Sequence, residues 1–254
     1  MKPSLRCFIL CMFFIFCGAL QAMVPQNNAL RDDIRTLRTE IGGELSPMPV
    51  LQLHSREQVV VSFDQLSHEG RRFFYRIQHC NFDWQPTNGL FLNEFMESNQ
   101  DEVWIDKGIE SQNTTTLYTH YRFHFPSAEA KPLLSGNYLL TIYDDSSENP
   151  EAVAEVRLRM VEPLVSITGR VLTNTDIDWN AAHQQLEMEV KAERLAGDLR
   201  SGIRTIVLQN GRSDNAAVAI PPTAQMGNSL LWKHAQGLIF EAGNEYRRFE
   251  LLSV

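Results

Sequence analysis

The chain contains few cysteines. Only 4 of its 254 residues are cysteine, and three of these lie before residue 18, in a segment that we expect to be removed. With Cys80 alone in the mature chain, an intrachain disulfide, a thiolate zinc site and a Cys-x-x-Cys redox pair are all excluded. Cys80 is followed closely by aromatic residues, so we predict that it is a small buried hydrophobe.

The chain also lacks an excess of positive charge. Its 23 Lys and Arg residues are outnumbered by 31 Asp and Glu residues, which gives a formal net charge of -8. Binding to nucleic acid or to anionic lipid needs clustered cations. The composition therefore argues against both partners.

No apolar run is long enough to span a bilayer comfortably. The longest, Cys7 to Leu20, follows two basic residues and ends in small residues, with a cleavage position after Ala22. This pattern predicts a secretory signal peptide rather than a retained membrane anchor. A lipoprotein is disfavoured because bulky Phe16 precedes Cys17. We therefore expect an exported protein that does not insert into the membrane.

Catalytic motifs are missing as well. The sequence has no G-x-S-x-G elbow, Walker loop, H-E-x-x-H pair or Gly-rich dinucleotide turn. Asp176-Ile177-Asp178 and Asp144-Asp145 are too short for a calcium loop, so we interpret them as turn acids. His120 and His124 lie about 13 Å apart along a predicted strand, too far to share one metal ion. We predict no catalytic, cofactor-binding or metal-binding residue and no enzyme activity.

What the chain does have, from Pro49 onward, is a dominant period of two. Such alternation in short β-branched and aromatic runs is typical of strands. The predicted strands are Val50 to His54, Gln58 to Phe63, Arg72 to His79, Leu117 to Phe125, Asn137 to Tyr143, Ala154 to Val161, Val165 to Leu172, Gln185 to Lys191, Ile203 to Gln209, Ala216 to Ile220, Ser229 to Lys233 and Tyr246 to Leu252. No long amphipathic helix separates them, so the fold class is mostly β.

Glu162-Pro163 separates two sets of predicted strands. We place the domain boundary there, because proline cannot donate to a strand ladder. We predict two tandem immunoglobulin-like β-sandwich domains. Residues 1–22 are the signal peptide, 23–48 an N-terminal segment or first edge strand, 49–162 the first sandwich and 163–254 the second. The chain stops within an apolar strand, so we expect the second sandwich to be truncated and to leave an edge unpaired.

Two local patterns support the first sandwich. In Leu117 to Phe125, the residues at odd positions form an apolar face that we assign to the core. In Leu134-Ser135-Gly136-Asn137-Tyr138, the Gly-to-Tyr spacing lets the phenol hydroxyl of Tyr138 reach back to a nearby backbone carbonyl.

One predicted loop, Asn81 to Met96, is unusually apolar. Its large hydrophobic residues form our candidate partner interface. They are Phe82, Trp84, Leu90, Phe91, Leu92, Phe95 and Met96. Ordinary connections are more polar. The alternative is that the loop folds back over one end of its own sandwich, and the sequence leaves both interpretations open.

Several strings resemble one known family. They are His79-Cys80-Asn81-Phe82-Asp83-Trp84, Ser111-Gln112-Asn113-Thr114, Tyr118-Thr119-His120-Tyr121-Arg122, Leu134-Ser135-Gly136-Asn137-Tyr138, Val207-Leu208-Gln209-Asn210-Gly211-Arg212 and Gly243-Asn244-Glu245-Tyr246-Arg247-Arg248-Phe249. In this order, from about Arg35 to the last residue, they resemble the plug protein of the Bacteroidota type IX secretion system.

The resemblance implies a non-enzymatic periplasmic protein, associated with the outer membrane, whose partner is a very large β-barrel translocon. Such a protein would occlude or gate the periplasmic opening of the channel. An alternative hypothesis is a carbohydrate-binding or substrate-positioning module, since Trp84, Trp104 and Trp179 could serve as sugar platforms. A hydrolase with scattered carboxylates ranks last, because no acid pair stands out.

Overall fold

The computed structural model describes residues 27–98, 100–146, 148–179 and 182–243. The predicted signal peptide and the predicted strand from Tyr246 to Leu252 both lie outside these residues. Within them, no helix is both long and apolar enough to cross a membrane.

Strands dominate the described residues, in agreement with the predicted fold class. In chain order they are β1 (Asn28–Ala29), β2 (Ile34–Ile41), β3 (Glu44–Leu45), β4 (Val50–Gln52), β5 (Val59–Gln65), β6 (Phe73–Cys80), β7 (Val103–Trp104), β8 (Ile109–Glu110), β9 (Thr119–Phe125), β10 (Gly136–Asp144), β11 (Glu151–Val161), β12 (Ser166–Leu172), β13 (His183–Lys191), β14 (Ile206–Val207), β15 (Ala217–Val218), β16 (Ala224–Met226), β17 (Ser229–Trp232) and β18 (Ile239–Glu241). The helical segments are short. They are α1 (Leu92–Phe95), α2 (Leu199–Gly202) and 3₁₀ turns at Gln209–Gly211 and Gln236–Leu238.

The strands form three larger sheets and one small one. The first sheet has the order β1-β11-β10-β6-β7, with β4 also beside β11, and the second has the order β3-β2-β5-β9-β8. The third has the order β12-β13-β17-β16, with β18 also beside β13, and β14 pairs with β15 alone. All pairings described are antiparallel except that of β4 with β11.

A first hydrophobic core lies between the first two sheets. In β9, Thr119, Tyr121, Phe123 and Phe125 are buried and the residues between them are not, so the predicted alternation is confirmed from Thr119 onward. Leu117 was also assigned to the core, but it precedes the strand and is 55% exposed. Aromatic pairs tie the sheets together. The ring of Tyr75 in β6, for example, stacks on Phe123 at a centroid distance of 4.6 Å. Such pairs contribute stability beyond that of the surface area that they bury.

The segment before Pro49 contributes to the same sheets. β1 pairs with β11, and β2 lies between β3 and β5 rather than at an edge. Ile34 of β2 is fully buried in the first core. The segment that the sequence analysis set apart as residues 23–48 therefore packs with the first set of strands.

Two predictions about single residues of this core are confirmed. Cys80 is 2% exposed, and burial raises the pKa of its thiol. The hydroxyl of Tyr138 donates to the Leu134 carbonyl at 2.7 Å. Burial raises the pKa of Tyr138 far above its ordinary value. Both side chains are therefore neutral structural groups.

A second, smaller core shares no residue with the first. It is built around Trp232 of β17, which is fully buried and whose Nε1 donates to the Ile220 carbonyl at 2.8 Å. The cluster also includes Met188 and Val190 of β13 and Leu238.

Two predicted strands of this second set are mostly wrong. Ile203 to Gln209 and Ala216 to Ile220 are reduced to the two-residue strands β14 and β15. β14 begins after the predicted Ile203, because Ile203 is the C-cap of α2. It ends before the predicted Gln209, because Asn210 adopts a left-handed conformation, with φ of 53°, in the 3₁₀ turn that follows. Asp198 is the N-cap of α2, and its side chain accepts a hydrogen bond from the Arg200 N–H. The sequence pattern did not predict this helix.

Asp144, at the end of β10, acts as a turn acid, because its Oδ1 accepts from the Ser146 N–H at 3.0 Å, and it is also a buried partner of two arginines. It is 3% exposed, and guanidinium nitrogens of Arg31 and Arg71 each lie 2.8 Å from its Oδ2. Burial alone raises the pKa of Asp144. Hydrogen bonds from Ser146, Arg71 and Arg31 outweigh this effect and leave the pKa below its ordinary value.

This carboxylate should make stability depend on pH. Because its pKa is lower in the folded chain, its contribution is present above the unfolded pKa of about 4 and is lost as the pH falls through the folded pKa. We expect Asp144→Asn to lower the free energy of unfolding by about 2 kcal/mol at pH 7 and by less at pH 3. Urea unfolding at both pH values measures this, with Asp145→Asn as the neighbouring control. Equal losses for the two variants would contradict the assignment.

A candidate partner-binding surface

The predicted interface loop starts from a well-fixed turn after β6. The Oδ1 of Asn81 accepts hydrogen bonds from the backbone N–H groups of Asp83 and Gln85 at 2.9 and 3.0 Å. The side-chain amide of Asn137 in β10 donates to the Asn81 carbonyl at 2.7 Å. Trp84 has a φ of 60°, which is rare for a bulky residue. The Asn81 side chain thus supplies the bonds that hold Trp84 in this conformation.

His79 connects the loop to the start of β10. Its Nδ1 lies 2.8 Å from the Thr87 hydroxyl and its Nε2 lies 3.2 Å from the Ser135 carbonyl. The imidazole ring also packs edge-on against the ring of Tyr138, at a centroid distance of 5.3 Å. At Gly136, φ is +151° and an added Cβ would lie 2.3 Å from the His79 Nε2. Only glycine fits beside this ring.

We therefore expect Gly136→Ala to lower the free energy of unfolding by about 2 kcal/mol, because the variant combines an unfavourable φ with displacement of His79. Gly70→Ala is the control, since a Cβ there meets nothing within 4 Å. Urea denaturation of the two variants measures the difference. Indistinguishable midpoints would contradict the proposed close packing at Gly136.

The structure divides the seven predicted interface residues by burial. Phe95 and Met96 are 5% and 1% exposed and belong to the first core. Phe91, immediately before α1, is 72% exposed. The other four, Phe82, Trp84, Leu90 and Leu92, are half-buried. The interpretation that the loop folds back over its own sandwich therefore holds for Phe95 and Met96, whereas Phe91 remains on the surface. We call Phe82, Trp84, Leu90, Phe91 and Leu92 the loop surface.

Arginines from distant parts of the chain pack on the aromatic rings of the loop surface. The guanidinium carbons of Arg157 and Arg159 in β11 lie 6.0 and 5.6 Å from the centroid of the Trp84 ring. Burial lowers the pKa of Arg159. The Arg204 guanidinium carbon lies 5.5 Å from the Phe82 centroid. These cation–π contacts place positive charge on a surface that the sequence analysis described as apolar.

Arg204 also forms an ion pair with the loop. Its Nη1 lies 3.6 Å from Asp83 Oδ2, and both side chains are more than half exposed. Arg204 immediately precedes Thr205 and β14, so this contact joins the loop to the second set of strands. An exposed pair of this kind contributes little stability by itself.

A second aromatic and arginine cluster, missed by the sequence analysis, lies on the outer face of the first sheet. The Arg72 guanidinium carbon lies 4.3 Å from the centroid of Trp104, a residue that is 43% exposed. The ring of Phe74 contacts Trp104 and stacks on Tyr143, both at 5.3 Å. The Arg76 guanidinium carbon lies 5.0 Å from the Tyr143 centroid. Arg72, Phe74 and Arg76 occupy every second position of the sequence, and this spacing was the available signal.

A cleft of about 290 Å³ lies between this cluster and the loop. Its lining combines apolar residues of the loop, such as Leu90 and Leu92, with Arg76 and Tyr143 of the sheet. Arg76 is paired there with Glu102 at 2.7 Å. The cleft thus connects the loop surface to the outer face of the first sheet.

The carboxylates considered for metal binding have other partners. The Oδ2 of Asp176 accepts from the Gln185 amide at 2.7 Å, and its Oδ1 lies 2.8 Å from His234 Nδ1. His120 pairs with Asp64 at 2.7 Å. Among the described residues, no three His, Cys, Asp or Glu side chains are grouped so that they could hold a metal ion.

Comparison with known proteins identifies the family. The family model of the type 9 secretion system plug protein 1st domain matches residues 34–162. This chain belongs to the type 9 secretion system plug protein family. The resemblance inferred from the sequence motifs is therefore confirmed, and the matched region contains both the loop surface and the cluster around Trp104.

A solved structure is similar to this chain beyond the residues that the family model matches. The crystal structure of a hypothetical protein from Parabacteroides merdae is similar, with 33% sequence identity and a TM-score of 0.78. The match covers 89% of this chain and 57% of the Parabacteroides protein, so this chain spans little more than half the length of that relative. No curated protein matches the sequence.

Proposed function

We propose that this chain is a non-catalytic periplasmic protein that occludes or gates the outer-membrane translocon of a type 9 secretion system. The observation that carries the proposal is the plug-family match over residues 34–162. The expected signal peptide, the acidic composition and the strand-rich fold are compatible with it.

The fold suits a steric role. We propose that the paired sheets are immunoglobulin-like sandwiches, with the first spanning residues 49–162 plus the strands that precede it, and the second following Pro163. A body that is already rigid loses little conformational entropy when it docks, so it can fill a wide opening reversibly. We expect the partner to be the large outer-membrane β-barrel of the translocon.

The loop surface is the part of the first sandwich that we propose contacts the translocon. Aromatic residues and arginines are the groups that contribute most to binding at protein interfaces. Here Phe91 is exposed, and Trp84 and Phe82 lie beside Arg159 and Arg204. Phe95 and Met96 would support this surface from beneath without contacting the partner.

The carbohydrate-binding alternative gains less support. A sugar platform needs a free aromatic face, but Arg72 covers one face of Trp104 at 4.3 Å, and arginines also lie over Trp84. Of the three candidate tryptophans only Trp179 is largely free, at 86% exposed.

A pull-down from detergent-solubilised envelope of the source bacterium, read by mass spectrometry, tests the proposed function. The tagged native chain is expected to recover a very large outer-membrane barrel protein, and an unrelated periplasmic β-sandwich of similar charge serves as the control. Recovery of no outer-membrane barrel above the control would contradict the proposal. Glycan binding lost on Trp179→Ala would favour the alternative.

A further inference from the structure

The outer face of the first sheet carries three arginines on neighbouring strands. Arg157 of β11 pairs with Leu139 of β10, and Arg76 of β6 pairs with Thr141 of β10. Arg159 follows Arg157 by two residues in β11. The residues on either side of all three arginines are buried in the first core, so the arginine side chains point away from it.

These arginines and Arg72 follow a line across the sheet. Arg159, Arg157 and Arg76 pair with β10 at positions 137, 139 and 141. Arg72 continues the line, because its carbonyl accepts from the Asp145 N–H at 3.0 Å. Positions 137 and 145 are separated by about 27 Å along an extended strand. We call Arg159, Arg157, Arg76 and Arg72 the arginine line.

The two ends of the arginine line form no ion pair with any described residue. Arg159 and Arg72 each pack on an indole ring instead, at 5.6 Å from the centroid of Trp84 and 4.3 Å from that of Trp104. Arg159 is half-buried, and this burial lowers its pKa. A guanidinium group presents its N–H donors in a planar fork that fits a carboxylate. Both ends can therefore bind a carboxylate of another molecule.

The middle of the arginine line shows how this face binds a carboxylate. The Arg76 guanidinium carbon lies 5.0 Å from the centroid of Tyr143, and its Nη2 lies 2.7 Å from Glu102 Oε1. Arg157 is paired with Glu155 at 2.8 Å. The middle thus has carboxylates from this chain, whereas each end has the arginine and the aromatic ring without a carboxylate. The cleft beside Arg76 leaves room there for uncharged groups.

From these observations we propose that the outer face of the first sheet binds an extended segment of a partner protein through two carboxylates, one on Arg159 and one on Arg72. On a chain with a formal net charge of -8, this face offers such a segment complementary charges. An extended segment reaches from one end of the arginine line to the other with carboxylates about eight residues apart. Its middle is uncharged and lies over the cleft. Assigning the segment to the translocon rests on the proposed function.

Calorimetric titration of the full chain with a synthetic peptide tests the proposal. The probe has nine residues and blocked termini, with glutamate at both ends and alternating serine and threonine between them. A matched peptide has glutamine in place of both glutamates. We expect the native chain to bind the glutamate peptide at least tenfold more tightly, because each carboxylate forms charge-assisted hydrogen bonds.

Two variants locate the binding on the arginine line. Arg159→Gln should weaken binding of the glutamate peptide about tenfold and Arg72→Gln about threefold, because Arg159 is half-buried and Arg72 is exposed. Arg122→Gln is the matched control, since Arg122 is exposed on β9 in the second sheet and should not affect binding. Unchanged thermal unfolding shows that the variants remain folded.

Three results would overturn the proposal. One is equal affinity of the native chain for the two peptides, a comparison that depends on no variant. Another is a loss in Arg122→Gln as large as that in Arg159→Gln, since binding would then be non-specific. The third is sedimentation with phosphatidylglycerol vesicles that needs Arg159, without peptide binding, because a lipid surface would then be the partner. None of these results depends on recovery of the outer-membrane barrel, which tests the proposed function separately.

Discussion

Phe95→Ala is expected to lower the free energy of unfolding by about 4 kcal/mol, whereas Phe91→Ala should change it by less than about 0.5 kcal/mol. Phe95 is 5% exposed and packs near His79 and Tyr138, with ring centroids 5.8 and 6.1 Å away. Truncating it leaves a cavity beneath the loop surface. Phe91 is 72% exposed, so truncating it leaves no buried cavity. Urea denaturation of the two variants measures the difference.

Binding should follow the reverse order for these two residues. If the loop surface contacts the translocon, Phe91→Ala should reduce recovery of the barrel in the pull-down at least tenfold while the chain remains fully folded. Ile109→Ala serves as the control, because Ile109 is similarly exposed, at 73%, but lies on the short strand β8 of the second sheet. Recovery unchanged by Phe91→Ala would remove Phe91 from the interface, and a large stability loss would contradict its exposed position.

The second large effect is expected in the other core. Trp232→Ala should destabilise the second set of strands by about 4 kcal/mol, because it removes a fully buried indole and its hydrogen bond to Ile220. Trp179→Ala is the matched control, since Trp179 is 86% exposed. Differential scanning calorimetry and hydrogen exchange measure the change and assign it to a region.

Because the two cores share no residue, the loss should be confined to strands β12 to β18. The amides of β5, β6 and β10 should keep their protection in Trp232→Ala. Equal destabilisation of both sets of strands would mean that they unfold as one cooperative unit. An effect of Trp179→Ala as large as that of Trp232→Ala would contradict their assigned exposures.

The strands that could be predicted are those whose side chains alternate between core and solvent. β9 is the clearest case, because its buried residues Thr119, Tyr121, Phe123 and Phe125 are separated by His120, Arg122 and His124. The hydrogen bond from the Tyr138 hydroxyl to the Leu134 carbonyl was also predictable, because it joins residues close together in the sequence. By contrast, β14 and β15 are too short for alternation to mark their ends.

The sequence locates the candidate site, but it does not separate the exposed residues of the site from the buried ones. The apolar content of residues 81–96 marks an unusual loop, yet it cannot tell an exposed ring from a buried one. That distinction depends on α1, which turns Phe95 inward and leaves Phe91 outside. The packing of Arg159 on Trp84 and of Arg204 on Phe82 joins residues far apart in the chain, so only the folded structure reveals it.

Ion conductance of the purified translocon in a planar bilayer tests the central claim most directly. Adding the full chain to the periplasmic side should close open channels in a concentration-dependent and reversible manner, and Phe91→Ala should require at least tenfold more protein. Conductance that stays unchanged while the chain is demonstrably bound would contradict a role in occluding the channel.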